Sequence, residues 1–523
     1  MSQTTYSSDR DSTVREPTPD GTVVTAHQSF EGEPTTAVST EAPAPRPRHE
    51  LWSLIGGPIA AVATYVAMGL SGGVASGTRA TAAIAILMAI WWMGEALPLA
   101  ATALVPIVAL PLLGVLTPDE ATAPFADEIV FLFMGGFVIA LALQACGLHR
   151  RLALHVLSVV GTKPRRLMLG VMLTTAVMSM WVSNTASTLM MLPIATSVLD
   201  VALAGQRETQ VARRYRSRLV LSVAYAATIG GLATLIGSPP TLVIAGIVQE
   251  TFDITITFLD WMLIGVPLAA IFLAIGWAHL SRGALPEMGE GGDEVIATEL
   301  RALGPVSTRE RTVAVVFLAT ATLWIARPFL AGILPVLDLI SDTTVAIAAA
   351  IVLLGLPIGI SRRPVLSWRE AAEGLPWGVL LLFGGGLTLA SGISSSGLDV
   401  WIGDQIGGFA SMPLVVLVAL VAGLILLLTE MTSNTATAAT FGPVIAGLAV
   451  AQGIDPLVLL VPTALAATCA FMLPVGTPPN AIVYGTGDVE MSSMVRNGAL
   501  LNLIGVVLIV AFSMTLVPVL MPT

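Results

Sequence analysis

Two stretches decide how this chain folds: Val182 to Met190, VSNTASTLM, and Thr432 to Thr440, TSNTATAAT. Each sets the same small polar word, Ser-Asn-Thr, into sequence that is otherwise apolar. A helix in hydrocarbon satisfies its own backbone, so a repeated polar interruption marks a turn, a close packing surface or a polar ligand.

The surroundings make the membrane reading firm. Of 523 residues, 55% are hydrophobic and 11% charged, against about a quarter charged in soluble domains. Apolar runs of about 20 residues, long enough to cross a bilayer, recur between residues 51 and 519. Their number rules out a single anchor carrying a soluble enzyme. Cys146 and Cys469 lie far apart in apolar sequence and read as small hydrophobes, not as a disulfide framework or thiolate site. His149 and His155 sit in a basic boundary with no partners at metal spacing. Residues 1–50 differ in kind: rich in Ser, Thr, Pro and Glu, with eight acidic and four basic residues, they are expected to be a disordered cytoplasmic tail and not a secretory signal.

Basic residues orient the rest. Four connections carry them: Arg150 to Arg166, Arg207 to Arg218, Arg282 to Arg311, and Arg362 to Arg369. If all four are cytoplasmic, segment 167–200 begins and ends inside and is better drawn as a re-entrant hairpin, with Ser183 to Thr185 near its turn. Segment 410–452 is then a second hairpin, entering from outside. The expected fold is an all-α polytopic membrane protein with about eleven crossings and two opposed hairpins, N-terminus cytoplasmic and C-terminus extracytoplasmic. Its expected organisation is the tail 1–50; scaffold and first-repeat helices, 51–148; first hairpin and broken helix, 149–280; a cytoplasmic linker, 281–310; second-repeat scaffold, 311–396; and second hairpin, broken helix and last helix, 397–519.

The duplication extends beyond the tripeptide. Phe133-Met134-Gly135-Gly136-Phe137 precedes the first Ser-Asn-Thr by about 50 residues, as Phe383-Gly384-Gly385-Gly386-Leu387 precedes the second. Ile236-Gly237-Ser238-Pro239-Pro240 follows the first, and Val475-Gly476-Thr477-Pro478-Pro479-Asn480 the second. The charge pattern gives the halves opposite orientations. Inverted repeats with helices broken near the midplane are an architecture of secondary transporters. The proline pairs remove N–H donors and break segments 217–250 and 456–488 into half-helices, while Gly237 and Gly476 admit close approach. Free carbonyls and hydroxyls there suit a sodium ion, and half-helix N-termini suit an anion. Ser179 and Thr429, one turn before each Ser-Asn-Thr, join the candidate oxygens. The glycine words read as packing surfaces. Glu430 reads as a structural or coupling carboxylate and Glu95, in WMGEALP, as a cytoplasmic helix boundary.

The two Ser-Asn-Thr words, the GSPP of Gly237 to Pro240 and the GTPPN of Gly476 to Asn480 resemble the divalent anion:sodium symporter family, which includes sodium-coupled dicarboxylate and citrate transporters. The likeness covers residues 51–519. It implies a homodimer in the plasma membrane, with a scaffold and a mobile transport domain working as an elevator. It implies that Ser183, Asn184, Thr185, Ser238, Ser433, Asn434, Thr435, Thr477 and Pro478 line the substrate site. Ser179, Ser183, Asn184 and Gly237 would hold one sodium, and Thr429, Thr432, Asn434 and Gly476 a second. Thr241 departs from the Asn often found after the first proline pair. The implied cargo is a C4-dicarboxylate such as succinate, malate or fumarate, with citrate, sulfate or sodium-independent exchange as alternatives. Na+ is the expected coupling ion, with no organic cofactor and no nucleic-acid partner. A membrane enzyme would need convergent acid–base groups that the apolar segments lack; a non-transporting substrate sensor is the remaining alternative.

Overall fold

Proline and glycine set where the helices of this chain stop. The computed structural model describes residues 48–521 apart from 205–208, 290, 332–338, 358–362 and 407–411, and its elements are α-helices with one short 3-10 turn. The tail expectation therefore falls almost wholly outside the described residues. From residue 47 onward the chain packs as one unit. Among the described residues, eight helices are long and apolar enough to span a membrane, including Glu50–Leu70, Phe258–Leu280 and Thr308–Leu330.

Two sets of elements follow one another in the same order. The first comprises Glu128–Ala145, Leu148–Val160, the hairpin Pro164–Ser179 with Asn184–Ala202, the broken helix Gln210–Gly231 with Pro239–Phe252, and a closing helix Phe258–Leu280. The second comprises Trp377–Ser395, Leu398–Ile406, the hairpin Leu414–Thr429 with Asn434–Gln452, the broken helix Pro456–Thr468 with Pro478–Gly485, and Met491–Thr515. Both hairpins turn at the predicted words: each first helix ends one turn before Ser-Asn-Thr, and Ser183 and Ser433 cap the second helices by accepting from Ala186 N and Ala436 N at 3.3 and 3.4 Å. Both breaks restart at the proline pair, because proline is at home in a first helical turn.

The glycine words do pack closely. A Cβ on Gly135 would lie 2.7 Å from Ala346 Cβ, and one on Gly385 would lie 2.2 Å from the Ala103 carbonyl oxygen. The first glycine-rich helix thus rests on the helix Asp342–Gly355, and the second on the turn between Leu99–Thr102 and Val105–Leu112, each from the other half of the chain.

Three segments are divided differently from what the sequence suggested. The apolar stretch 95–114, long enough for one of the expected crossings, is divided into Leu99–Thr102 and Val105–Leu112. Pro98 and Pro106 lack the donors that would carry one helix through. The basic stretch after Cys146 is a separate helix, Leu148–Val160, started by Gly147 in the left-handed region at φ 75°. The linker 281–310 contains the helix Gly291–Ala302. It is tied back by Arg150 to Glu299 at 2.5 Å and by Arg151, which donates to Glu310 at 2.7 Å and to the Gly304 carbonyl at 2.9 Å.

Candidate functional site

Four helices begin at one cavity of about 690 Å³. Their N-cap residues, Ser183, Ser238, Ser433 and Thr477, all line it. Helix N-termini carry partial positive charge and N–H groups without intrahelical acceptors, so four of them facing one space favour an anion there. No Arg, Lys or His lines the cavity, and Glu95 is its one ionisable lining residue among the described residues.

The predicted residues are brought together. Asn184, Thr185, Gly237, Thr432, Asn434, Thr435, Gly476 and Pro478 line the same cavity as the four caps. Ser179 and Thr429 do not line it; both are fully buried just behind. Each instead donates to the asparagine of its own word: Ser179 Oγ to Asn184 Oδ1 at 2.5 Å, and Thr429 Oγ1 to Asn434 Oδ1 at 2.7 Å.

These pairs sit where oxygens crowd. Thr429 Oγ1 is also 2.7 Å from the Ala467 carbonyl, so three oxygens meet with one proton to share among them. In the first half a Cβ on Gly231 would lie 2.7 Å from Asn184 Oδ1 and 3.0 Å from the Gly237 carbonyl oxygen. Side-chain amide, hydroxyl and freed carbonyl oxygens in this number suit a hard cation of sodium's charge. Thr432 is drawn partly elsewhere, its hydroxyl 2.9 Å from the Leu428 carbonyl and 2.7 Å from Thr437 Oγ1.

The halves differ behind the site. Glu430 is buried but fully satisfied: its carboxylate accepts from the N–H groups of Phe471 at 2.7 Å, Met472 at 2.9 and 3.1 Å and Leu473 at 3.0 Å, and from Asn502 Nδ2 at 2.6 Å. It holds the backbone of the second break. At the corresponding place of the first half stands Met180, whose carbonyl accepts from Thr234 Oγ1. Asn480 Nδ2 donates to the Ala470 and Leu473 carbonyls at 3.1 and 3.0 Å. Thr241, its counterpart, makes no such bond, and its buried hydroxyl has no partner among the described residues.

Some lining residues escaped the sequence reading. Phe133 and Phe137 belong to the first glycine word yet wall the cavity, and Gln144, Met431 and Val475 join them. The glycine pair Gly135-Gly136 marks packing but not which flanking aromatic faces a space.

The family model of the sodium:sulfate symporter transmembrane region matches residues 48–522. The chain belongs to the sodium:sulfate symporter family. As a family member it is a multi-pass membrane transporter and not an enzyme. The symporter is 41% identical over 444 residues to the sodium-dependent dicarboxylate transporter SdcS of Staphylococcus saprophyticus, covering 83% of this chain and 85% of that one. It is 40% identical over 450 residues to SdcS of Staphylococcus aureus, covering 84% and 85%. Among solved structures it resembles the YdaH transporter of Alcanivorax borkumensis, with TM-score 0.54, 13% identity and coverage of 86% and 100%. MtrF of Neisseria gonorrhoeae matches with TM-score 0.53, 13% identity and coverage of 77% and 83%. These two likenesses concern the fold alone.

Proposed function

We propose that this symporter couples inward movement of sodium to uptake of C4-dicarboxylates. The observation that carries the reading is the convergence of four helix N-termini, three of them capped by the side chains of Ser183, Ser433 and Thr477, on a cavity that has no basic side chain among the described residues. A dianion is met there by N–H groups, hydroxyls and helix dipoles, whose partial charges fall short of two full charges. Bound sodium supplies the remainder, which makes the cation a requirement for binding and not an accessory. The kinship with sodium-dependent dicarboxylate transporters supports the same cargo and ion.

Sodium binds first. One ion is held by the Ser179–Ser183–Asn184 turn with the Gly237 break, the other by Thr429, Thr432 and Asn434 with the Gly476 break. The ions tie each hairpin tip to its broken helix, and the dicarboxylate then binds between the tips, touching Ser183, Asn184, Thr185 and Ser238 on one side and Ser433, Asn434, Thr435, Thr477 and Pro478 on the other. About eleven crossings and two opposed hairpins, a cytoplasmic N-terminus, an extracytoplasmic C-terminus, a homodimer and elevator movement belong to the same proposal. The basic connections support the orientation. Gln144 and Gly374 line the cavity and stand close in sequence to Arg150 and Arg369, which supports an opening toward the cytoplasm.

Uptake into proteoliposomes tests the function directly. Concentrative succinate uptake is expected with an inward sodium gradient and not when potassium or choline replaces sodium. Undiminished accumulation without sodium would overturn the coupling. Uptake that needs dicarboxylate inside would make it an exchanger. The N184A/N434A variant, folded by its melting profile, is expected to lose uptake at least tenfold.

A further inference from the structure

Glu95 is the one ionisable residue lining the cavity among the described residues, an unwelcome neighbour for a dianion. Its placement is costly in backbone terms as well. The helix Ser76–Met93 ends in a cap where Ala96 N donates to the Trp91 carbonyl at 3.1 Å, and the residue between that closure and Gly94 adopts φ 49°. This left-handed position of a helix C-terminus ordinarily holds glycine. Here the glycine stands one residue early, at Gly94, and a glutamate takes the strained place. The side chain is exposed, and among the described residues it makes no hydrogen bond or ion pair. Structure therefore gains nothing from the carboxylate: it neither caps nor pairs, and glycine would suit the backbone better. Strain kept at a functional cavity points to a task.

We propose that Glu95 is a charge filter at the cavity mouth, setting the selectivity for dianions over more highly charged anions on the side to which the cavity opens. The inference rests on the dianion-transport reading above. A fixed negative charge facing a cavity with no basic side chain raises the local sodium concentration and lowers that of anions. Its repulsion scales with substrate charge, so a trianion is penalised by one more factor than a dianion. Sodium binding is favoured first, release of the dianion is helped, and a tricarboxylate is held off. Through water, a unit charge about 10 Å away changes affinity about twofold per substrate charge. Neutralising Glu95 should then tighten a dianion about fourfold, tighten a trianion about eightfold and weaken sodium about twofold.

Equilibrium binding to the purified full-length chain tests this, with labelled succinate at saturating sodium, displacement by citrate at pH 8, and E95Q, E95G and E95D compared. E95Q and E95G are expected to shift the citrate-to-succinate affinity ratio about twofold toward citrate. E95D should keep the wild-type ratio. The shift should shrink when ionic strength is raised with choline chloride, because exposed charges are screened. A wild-type ratio in both E95Q and E95G would overturn the proposal, as would a shift in E95G alone, which would trace to the backbone. E95G relieves the left-handed strain, so its fold is not at risk. Failure of the wild type itself to bind succinate with sodium would instead overturn the dicarboxylate reading, leaving the two failures distinct.

Discussion

At the scale of single residues, the most informative pairs are Ser179 with Asn184 and Thr429 with Asn434. Neither hydroxyl reaches the cavity, yet each fixes the amide oxygen of a residue that does. Losing such a hydroxyl removes one oxygen and frees the amide to turn. S179A and T429V are therefore expected to raise the sodium concentration for half-maximal uptake by about tenfold, the effect of roughly 1.4 kcal/mol, a typical hydrogen-bond contribution. Succinate affinity at saturating sodium should change much less, and a sodium titration at several fixed succinate concentrations separates the two. Glu430 belongs to a different class. With four donors aimed at it, E430Q would turn an amide NH2 against N–H groups, leaving buried donors unpaired at a cost of about 3 kcal/mol. The expected result is a clear fall in thermal stability together with lost uptake, whereas an unchanged melting temperature would deny it the structural role. The Ser-Asn-Thr words were legible in sequence because a repeated polar word in apolar surroundings has few physical explanations. Phe133 was not, because the same residue pattern serves a packed face and a cavity wall.

At the scale of elements, the breaks are built twice by one device. The closing helix of each half lays a glycine on the first broken carbonyls: a Cβ on Gly265 would lie 2.5 Å from the Leu232 oxygen, and one on Gly498 would lie 2.2 Å from the Phe471 oxygen. Neither neighbour is a flexible side chain that could step aside. G265A and G498A are accordingly expected to destabilise the protein by about 1–3 kcal/mol each through overpacking. In contrast, a methyl group added at Gly423 would meet nothing within 4 Å, so G423A should be neutral or stabilising by roughly 0.5–1 kcal/mol from helix propensity. Thermal melts of the three variants in one detergent would check the contrast. The sequence announced the breaks through their proline pairs, since no helix carries two adjacent prolines inside it. It did not announce Gly265 and Gly498, because glycine is common in membrane helices and only tertiary contact separates a necessary one from an idle one. Nor did it reveal the helices Leu148–Val160 and Gly291–Ala302, whose polar faces and basic ends read as plain connections.

At the scale of the whole molecule, the halves repeat in plan and differ in docking. The first tip is held: Trp181 stacks on Phe258 and Trp324 with ring centroids 5.8 and 6.5 Å apart, and meets Phe317 edge-on at 4.9 Å. Its counterpart in the second tip, Met431, is 76% exposed and lines the cavity. If the tips ride on a body that moves past the helix Thr308–Ala331, as an elevator requires, the Trp181 cluster must come apart in each cycle while contacts within each hairpin persist. Aromatic contacts of this kind contribute about 0.5–1.5 kcal/mol apiece, strong enough to bias a resting state and weak enough to be broken by sodium and substrate binding. Cysteines at Trp181 and Phe317, in a C146A/C469A background that removes both free thiols, can be bridged by a short reducible bifunctional reagent. Bridging is expected to cut sodium-driven succinate uptake to below about a tenth, a loss of roughly 1.4 kcal/mol or more in effective turnover, with recovery on reduction. The unbridged double variant should retain transport, although weakened docking would shift its balance between the two faces. Full uptake by a bridged protein would mean that this tip stays on its aromatic seat throughout the cycle, and the moving part would then have to be sought on the side of the second tip, where Met431 has no such seat.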